Sequence, residues 1–447
     1  MTNPTFDDGD FLDHVETIRK QWEHALAGNS SDAAVVPAGA MPMYFQDDQA
    51  PAFHPNPHFA RFYPDDDCEH SVLLVRRADK PKLYFHREAS FWYQPPSLPD
   101  WAGDAFDVEE HDNEDALMKS LVHDLADFGR VALVGPAESY DLNLPLAAVN
   151  PKNVVNRLQF ARALKTPFEQ ARMREATEIG VRGHLAARDT FREGGSEFDI
   201  HMAYLAASRQ QESKLPYPNI IALNEHAGIL HYQHYDRTSP AVSRSFLIDA
   251  GGRSGGYHSD ITRTYSANPG DEFDDLVTAL DEKQRAAVAM VRPGLAYVDL
   301  HVHMHREIAE LLARFKFVRC SAEGAYERSI TDKFFPHGLG HLLGLQTHDV
   351  GGQFVNEDGD IGEPPERFPK LRFTRPLETD QVFTVEPGLY FIPALLAELA
   401  DSEAGRDVNW EKIEAFTPYG GVRIEDNVLV TADGVENLTR PAFDRLG

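Results

Sequence analysis

At 447 residues, with 42% hydrophobic and 26% charged side chains, the chain is long enough for two domains and apolar enough to fold. A formal net charge of −28 argues against nucleic acid, whose phosphates would be repelled, and predicts a well-solvated surface. No apolar run approaches the length of a membrane span, and the N-terminal MTNPTFDDGDFLDH is too acidic and polar for a secretory or transit signal.

Cys68 and Cys320 stand far apart as two thiols expected to be reduced, which predicts a cytoplasmic protein. Phe11, Val15, Ile18, Trp22 and Leu26 recur at helical spacing before Gly28 and predict an opening helix. MPMYFQDDQAPAFHPNPHFARFYPDDD, dense in Pro, Asp and His, predicts a long surface loop whose His54 and His58 have no ligand role. SVLLVRR and KLYF predict a hairpin, residues 115–125 a helix, and VALVG a buried strand. Strands alternating with helices predict a small α/β domain over residues 1–164.

Lys165-Thr166-Pro167 predicts a linker ending in a helix N-cap, with proline at the first helical position and a helix running to Arg192. A second helix is expected from Glu197 to Glu212. LPYPNIIALNEHAGILHY predicts two short strands about a turn, ending at His231. RSFLIDAG and YHSDITRTY predict strands flanking a hairpin that holds Gly251, Gly252, Gly255 and Gly256. Helices are expected over 271–291 and 298–315. The second carries His301, His303 and His305, and residues two apart do not share a helix face, so these read as scattered surface histidines. From Pro336, short apolar runs broken by Gly and Pro predict strand and loop. Helix pairs followed by paired strands predict an α+β domain over residues 165–447, its helices on one face of a curved antiparallel sheet.

The chemistry is concentrated in that second domain. Across the glycine-rich hairpin Asp249 and Asp260 can oppose each other from one face, where two carboxylates repel unless a cation lies between them. FPHGLGHLLGLQTHDVGG brings His337, His341 and His348 into one short segment. Glu386 ends VFTV and Glu425 ends GGVRI, and a glutamate closing an apolar strand needs a buried partner. Four carboxylates with one imidazole form an oxygen-rich set suited to two hard or borderline divalent cations. Arg423 shares a strand face with Glu425 and can hold a neighbouring carboxylate. The glycines at 338, 340 and 344 do not make a dinucleotide fingerprint, because the spacing is wrong and no strand-to-helix unit follows.

The ordered set LIDAG, SDITRT, HGLGHLLGLQTHD, TVEPGLYF and GVRIED resembles the pita-bread metallopeptidases, a family that includes methionine aminopeptidase, aminopeptidase P and prolidase. YPNIIALNEHAGILHY, YERSITDKFFPHGLGH and YFQDDQAPAFHPNPHF resemble its prolidase branch, the bacterial Xaa-Pro dipeptidases related to organophosphorus acid anhydrolases. The resemblance implies a pita-bread catalytic domain preceded by a smaller α/β domain. It implies Asp249 on one metal, Asp260 and Glu425 bridging two, and His341 with Glu386 completing the second. It implies that His231, His337 and His348 hydrogen-bond substrate or the tetrahedral intermediate, and that Arg423 supports a ligand from behind. Tyr217 would line a small pocket, and Arg372 would grip the dipeptide carboxylate. The hairpin tip GGRSGGYHS departs from the family pattern but lies between ligands.

The implied reaction is hydrolysis of Xaa-Pro dipeptides by a hydroxide held between two ions, with Glu386 carrying a proton to the leaving nitrogen. The oxygen-rich donors favour Mn(II), with Co(II) serving in vitro. The resemblance also implies a homodimer. The alternatives are aminopeptidase P acting on longer peptides, side activity on organophosphorus esters, and a non-catalytic binding protein on the same fold, although this chain keeps all five ligands.

Overall fold

The structure, a computed structural model, describes residues 8–136 and 144–447; the first seven residues of the acidic N-terminal stretch lie outside the described residues. It divides into two compact units. The first comprises Met1–Arg172, Ser254–Tyr257 and Phe354–Asp360, and the second Met173–Arg253, His258–Gln353 and Ile361–Gly447. Cys68 and Cys320 are not joined in a disulfide, and no helix among the described residues is long and apolar enough to cross a membrane.

In the first unit, β1 (Ala33–Pro37), β2 (Val72–Arg76), β3 (Lys82–His86), β4 (Asp107–His111), β5 (Val131–Leu133) and β6 (Ala148–Val149) form one mixed sheet in the order β4-β3-β2-β1-β5-β6. SVLLVRR and KLYF form the expected hairpin β2–β3, and β1 runs antiparallel to β2 but parallel to β5. Every residue of β1 and β5 is buried, as a strand covered on both faces requires. The helix Glu114–Leu125 sets Leu117, Leu121 and Leu125, one stripe at four-residue spacing, onto Ala33, Val35, Val72 and Leu74. The opening helix Asp8–Ala27 buries Phe11, Val15, Ile18, Trp22 and Leu26, as its periodicity predicts.

The segment over residues 41–67 is only half the surface loop its composition predicts. Asn56 caps a short helix, Pro57–Ala60, by accepting from the His58 N–H, and Phe59, Phe62 and Tyr63 are fully buried. The Tyr63 ring lies 5.2 Å from Trp101 and 6.2 Å from Phe85. Burial of three aromatic side chains outweighs the loop-forming bias of the prolines and aspartates around them.

At Thr166 the expected cap is present and reciprocal: Thr166 N–H donates to Glu169 Oε2 at 2.8 Å, and Glu169 N–H donates to Thr166 Oγ1 at 3.4 Å. Pro167 then opens a helix that runs to Arg192. Glu169 is completely buried and takes both arms of Arg61, Nε at 3.1 Å and Nη2 at 3.2 Å, together with the Tyr257 hydroxyl at 2.9 Å. Burial raises this carboxyl, but Arg61 and His14 outweigh burial and hold it at about 2. The folded value lies below the ordinary one, so this stabilisation is complete above the unfolded carboxylate range and is lost as pH falls towards 2.

In the second unit, β7 (Ile220–Leu223), β8 (Ser245–Asp249) and β11 (Thr262–Ser266) come first, with the short tip strands β9 (Arg253–Ser254) and β10 (Tyr257–His258) between β8 and β11 in the chain. They are followed by β12 (Val382–Val385), β13 (Gly388–Tyr390), β14 (Gly421–Arg423), β15 (Asp426–Thr431) and β16 (Gly434–Asn437). Antiparallel ladders β11-β8-β7, β12-β15-β16 and β13-β14 make up the curved sheet. Side chains and backbone join them: Glu425 N–H donates to Thr262 O at 3.0 Å, and Thr264 Oγ1 bonds both Arg423 N–H and Arg423 O. Alternation along β8 sends Phe246 and Ile248 to Ala187, Phe191, Ile200 and Tyr204 on the helices, and leaves Leu247 on the opposite face with Ile220 and Ala222. Asp249 therefore emerges on the face away from those helices. Gly252 lets the hairpin lie against the long helix, since a Cβ there would stand 2.1 Å from Ala176 O.

Four expectations are corrected in this unit. The 215–232 segment holds one strand rather than two, because Asn224 takes φ +56° and turns its amide onto Val242 O and Arg244 N–H. The helix from Glu197 stops at Ser208, where Arg209 adopts φ +54°. His301 and His305 are not on the surface. They are four residues apart, share one helix face, and are sealed by Phe335 and Phe368 with rings 4.7 Å from each other. Burial, then mutual repulsion for His301 and Arg367 for His305, lowers both to about 3 and keeps them neutral. Beyond Pro336 the chain is not only strand and loop: helices Pro393–Ala400, Trp410–Phe416 and Thr439–Leu446 bury Leu396, Leu399, Ile413, Phe416 and Ala442.

Removing one partner of a buried pair strands the other charge. Arg61→Ala is expected to destabilise the first unit by about 3–5 kcal/mol, read from urea denaturation at neutral pH. A loss below about 1 kcal/mol would mean that the pair contributes no more than an exposed one.

Candidate metal centre

The candidate ligands arrive from four places in the chain and meet at strand ends and the irregular backbone bonded to them. Asp249 closes β8, and Thr262 stands opposite it in the ladder. Asp260 lies two residues before Thr262, so it meets Asp249 diagonally across the hairpin on the same face rather than directly opposite. Glu386 follows β12, and Glu425 sits between β14 and β15. His341 is carried on an irregular segment that bonds along β12 through Leu343 N–H to Val382 O and Thr384 N–H to His341 O. Gly340 makes that approach feasible, since a Cβ would stand 2.0 Å from Thr384 O and 2.5 Å from the Tyr297 hydroxyl.

Ligand atoms of Asp260, His341 and Glu425 lie within 4.8 Å of one another, and all three residues are buried. His341 Nδ1–H donates to Leu342 O at 3.1 Å, and Nε2 is aimed between Asp260 Oδ2 at 3.5 Å and Glu386 Oε1 at 3.6 Å; burial lowers this imidazole, but the two carboxylates outweigh burial and raise it above its ordinary value. Asp249 and Glu386 keep a small exposed edge.

The electrostatics mark this as a site short of positive charge. Burial pushes Asp249 up to about 6 against the pull of Arg423, and pushes Glu386 up to about 7 against His341 and Arg423. Burial, followed by repulsion from Asp260, Glu386 and Asp249, raises Glu425 well above the ordinary carboxylate range. Asp260 differs: burial raises it, but contact with His341 and the Tyr217 hydroxyl hold it below its ordinary value. Buried carboxylates that repel this strongly, with an imidazole nitrogen facing them, are a donor set that divalent cations fit.

The remaining predicted residues divide into two groups. Arg423 is buried and donates to Asp249 Oδ2 at 2.7 Å, Thr262 Oγ1 at 3.1 Å and Tyr390 Oη at 2.9 Å. Tyr390 in turn bonds His337 Nε2 at 2.9 Å, while His337 Nδ1–H donates to Gly338 O at 2.8 Å. Both His337 nitrogens are thus engaged within the protein, and burial followed by Arg423 lowers its pKa to about 3. The Tyr217 hydroxyl sits between Asp249 Oδ1, at 2.8 Å, and Asp260 Oδ1. The second group faces outward. His348 is exposed, with its ring 4.3 Å from the His341 ring. Partial burial, then the charges of His341, Arg372 and His231, bring His348 to about 4, so these residues share one neighbourhood. Arg372 is exposed and forms no ion pair with a described carboxylate, whereas Arg375 is buried and bonds Glu378 at 2.6 Å.

Sequence reasoning missed several residues. Tyr390 lies inside the quoted TVEPGLYF, and Thr262 inside SDITRT, where its hydroxyl donates to Glu425 Oε2 at 2.7 Å. Glu197 has no motif around it. Its buried carboxylate accepts from Leu223 N–H (3.0 Å), His226 (2.7 Å), the Tyr232 hydroxyl (2.8 Å) and Asp236 N–H (2.9 Å). Four partners satisfy a carboxylate, so the Glu197–His226–Asp236 group reads as a staple on the loop bearing His231, not as a second metal site.

The model of metallopeptidase family M24 matches residues 171–432, and that of the Xaa-Pro dipeptidase N-terminal domain matches residues 10–160. The chain belongs to metallopeptidase family M24. It is 44% identical to the Xaa-Pro dipeptidase of Pseudoalteromonas haloplanktis, over 96% of this chain and 97% of that one. It is 43% identical to the Xaa-Pro dipeptidase of Stenotrophomonas maltophilia (strain K279a), over 97% of each. The fold is similar to that of aminopeptidase P from E. coli with the inhibitor Pro-Leu, with a TM-score of 0.75, 22% identity, and coverage of 96% of this chain and 95% of that one. It is the pita-bread fold of M24 with an added N-terminal domain, and the family implies divalent metal ions at a centre whose donors fit them.

Cations must displace the protons that Asp249, Glu386 and Glu425 hold. Metal affinity should therefore fall as pH drops below about 7, the value to which Glu386 is raised. Calorimetric titration in two buffers of different ionisation heat should show net proton release at neutral pH. No proton release would mean that the carboxyls are already ionised in the metal-free protein.

Proposed function

We propose that this chain is an Xaa-Pro dipeptidase that hydrolyses the bond before a C-terminal proline at a dinuclear centre. Near-full-length identity of 40–44% to curated Xaa-Pro dipeptidases supports the substrate class. Asp249 would hold one ion, His341 and Glu386 the other, and Asp260 and Glu425 both. When bound, two divalent ions lower the pKa of a water and polarise the scissile carbonyl. The carboxylate-rich donor set favours Mn(II), with Co(II) as a working substitute in vitro.

The chain's own residues do the rest. Glu386, beside the centre and partly exposed, takes a proton and delivers it to the leaving proline nitrogen. His348 and His231 present ring nitrogens to the substrate and to the oxygen on which negative charge develops. His337 acts through Tyr390 and Arg423, holding Asp249 in place rather than touching substrate. Tyr217 orients Asp249 and Asp260 at the edge of the small pocket. The working protein is a cytoplasmic homodimer. Exposure of Phe45 (91%), Phe91 (87%) and Trp92 (76%) in the first unit supports association, because such side chains are rarely left bare.

Support for a dipeptidase over aminopeptidase P comes from Arg372, an exposed guanidinium near His348 with no described carboxylate partner. A dipeptidase must bind a free carboxylate one residue beyond the cleaved bond, and arginine offers two parallel donors of matching geometry. Loss of a charge-assisted contact worth roughly 1.5–3 kcal/mol should lower kcat/KM for Xaa-Pro by about tenfold to hundredfold in Arg372→Ala. Xaa-prolinamides should be poor substrates for the native enzyme and indifferent to the substitution, with metal content unchanged. Equal loss on free and amidated substrates would assign Arg372 a structural role and favour aminopeptidase P.

A further inference from the structure

We propose that one cross-strand pair, Thr384 and Asn427, positions four of the candidate ligands and so sets the affinity of the dinuclear centre. The inference rests on the dinuclear reading above. The β12–β15 ladder places Thr384 directly opposite Asn427. Glu386 lies two residues after Thr384, and Glu425 two residues before Asn427, so both glutamates leave the ladder at the same end. Neither Thr384 nor Asn427 is a candidate ligand, and both are completely buried.

Each of the two grips the main chain of a further ligand from both sides. Thr384 N–H donates to His341 O at 3.0 Å, and Thr384 Oγ1 accepts from His341 N–H at 3.1 Å. The same hydroxyl reaches Glu386 Oε1 at 3.5 Å, and Thr384 O accepts from the Tyr297 hydroxyl at 3.0 Å. Asn427 Oδ1 accepts from Asp260 N–H at 3.0 Å, while Asn427 Nδ2 donates to Asp260 O. Asn427 is itself fixed by its N–H on Thr439 Oγ1 at 2.9 Å. Asp426, between Asn427 and Glu425, is turned away onto Arg263 at 2.7 Å and Arg440 at 2.6 Å and adds no charge to the centre.

An amide that offers one donor and one acceptor to the same residue imitates a strand partner, and an apolar side chain of equal size cannot do so. Metal coordination tolerates ligand displacements of only about 0.2 Å, so backbone clamps on His341 and Asp260 are felt directly as affinity. Thr384 and Asn427 are positioning residues: they act on the ions only through His341 and Asp260, which they clamp, and through Glu386 and Glu425, which leave the ladder beside them.

The test titrates Co(II) into the metal-free full chain, following its visible absorption and the ions bound per chain, with thermal melting in parallel. Thr384→Val keeps volume and strand propensity but removes the hydroxyl, and Asn427→Ala removes both clamps on Asp260. Each should weaken at least one ion by about tenfold to hundredfold and alter the Co(II) spectrum, while Thr384→Ser retains the native isotherm. Two ions at native affinity with a native spectrum in both Thr384→Val and Asn427→Ala would overturn the inference. So would weakening of both ions that Thr384→Ser shares and that tracks the fall in melting temperature. Should Asn427→Ala not fold, the Thr384→Val and Thr384→Ser pair decides alone. A native chain that binds fewer than two ions would instead overturn the dinuclear reading.

Discussion

Repulsion among Asp249, Asp260, Glu386 and Glu425 is the constraint around which the second unit is built. The described structure sets against them one buried guanidinium, Arg423, and one imidazole, His341, and that is too little charge to ionise all four. Three of the carboxyls consequently sit above their ordinary values. A protein does not hold such a cluster for stability, because well-packed apolar side chains in the same volume would serve better. The cluster is stable only with protons or with cations, and its donors fit divalent ions.

The same physics separates functional from structural carboxylates elsewhere in the chain. Glu169 has Arg61, Tyr257 and a cap around it and is held at about 2. Asp426 has Arg263, Arg440 and Asn437, and sits below its ordinary value despite burial. Glu197 fills its lone pairs with four donors. Each is matched, and each ties segments of its own unit together. Burial alone distinguishes none of them from Glu425; the count of donors does.

Rigidity around the centre follows from where its members sit. Asp249 closes one strand, Glu386 follows another, and Glu425 sits between two, while Asp260 and His341 lie on irregular backbone bonded to neighbouring strands. Strand ends combine a fixed backbone with side chains free to turn inward, and Gly340 and Gly252 permit the close approaches that bring the loops in. Outside this core, His231, His348 and Arg372 are exposed.

The sequence by itself determined the local features: the helix over Asp8–Ala27 from its apolar spacing, the β2–β3 hairpin and the cap at Thr166, and its motif order singled out Asp249, Asp260, His341, Glu386 and Glu425 as candidate ligands. Periodicity, capping and motif order are properties of neighbours along the chain, so they can be read without a fold. Tertiary structure decided what depends on contacts between distant residues. His301 and His305 are core rather than surface because Phe335 and Phe368 cover them. The 41–67 segment folds inward because Trp101 and Phe85 receive Tyr63. His337 bonds Tyr390, and Asn427 bonds Asp260 across 167 residues of sequence, because burial and donor counting are settled only when the whole chain has closed around each group.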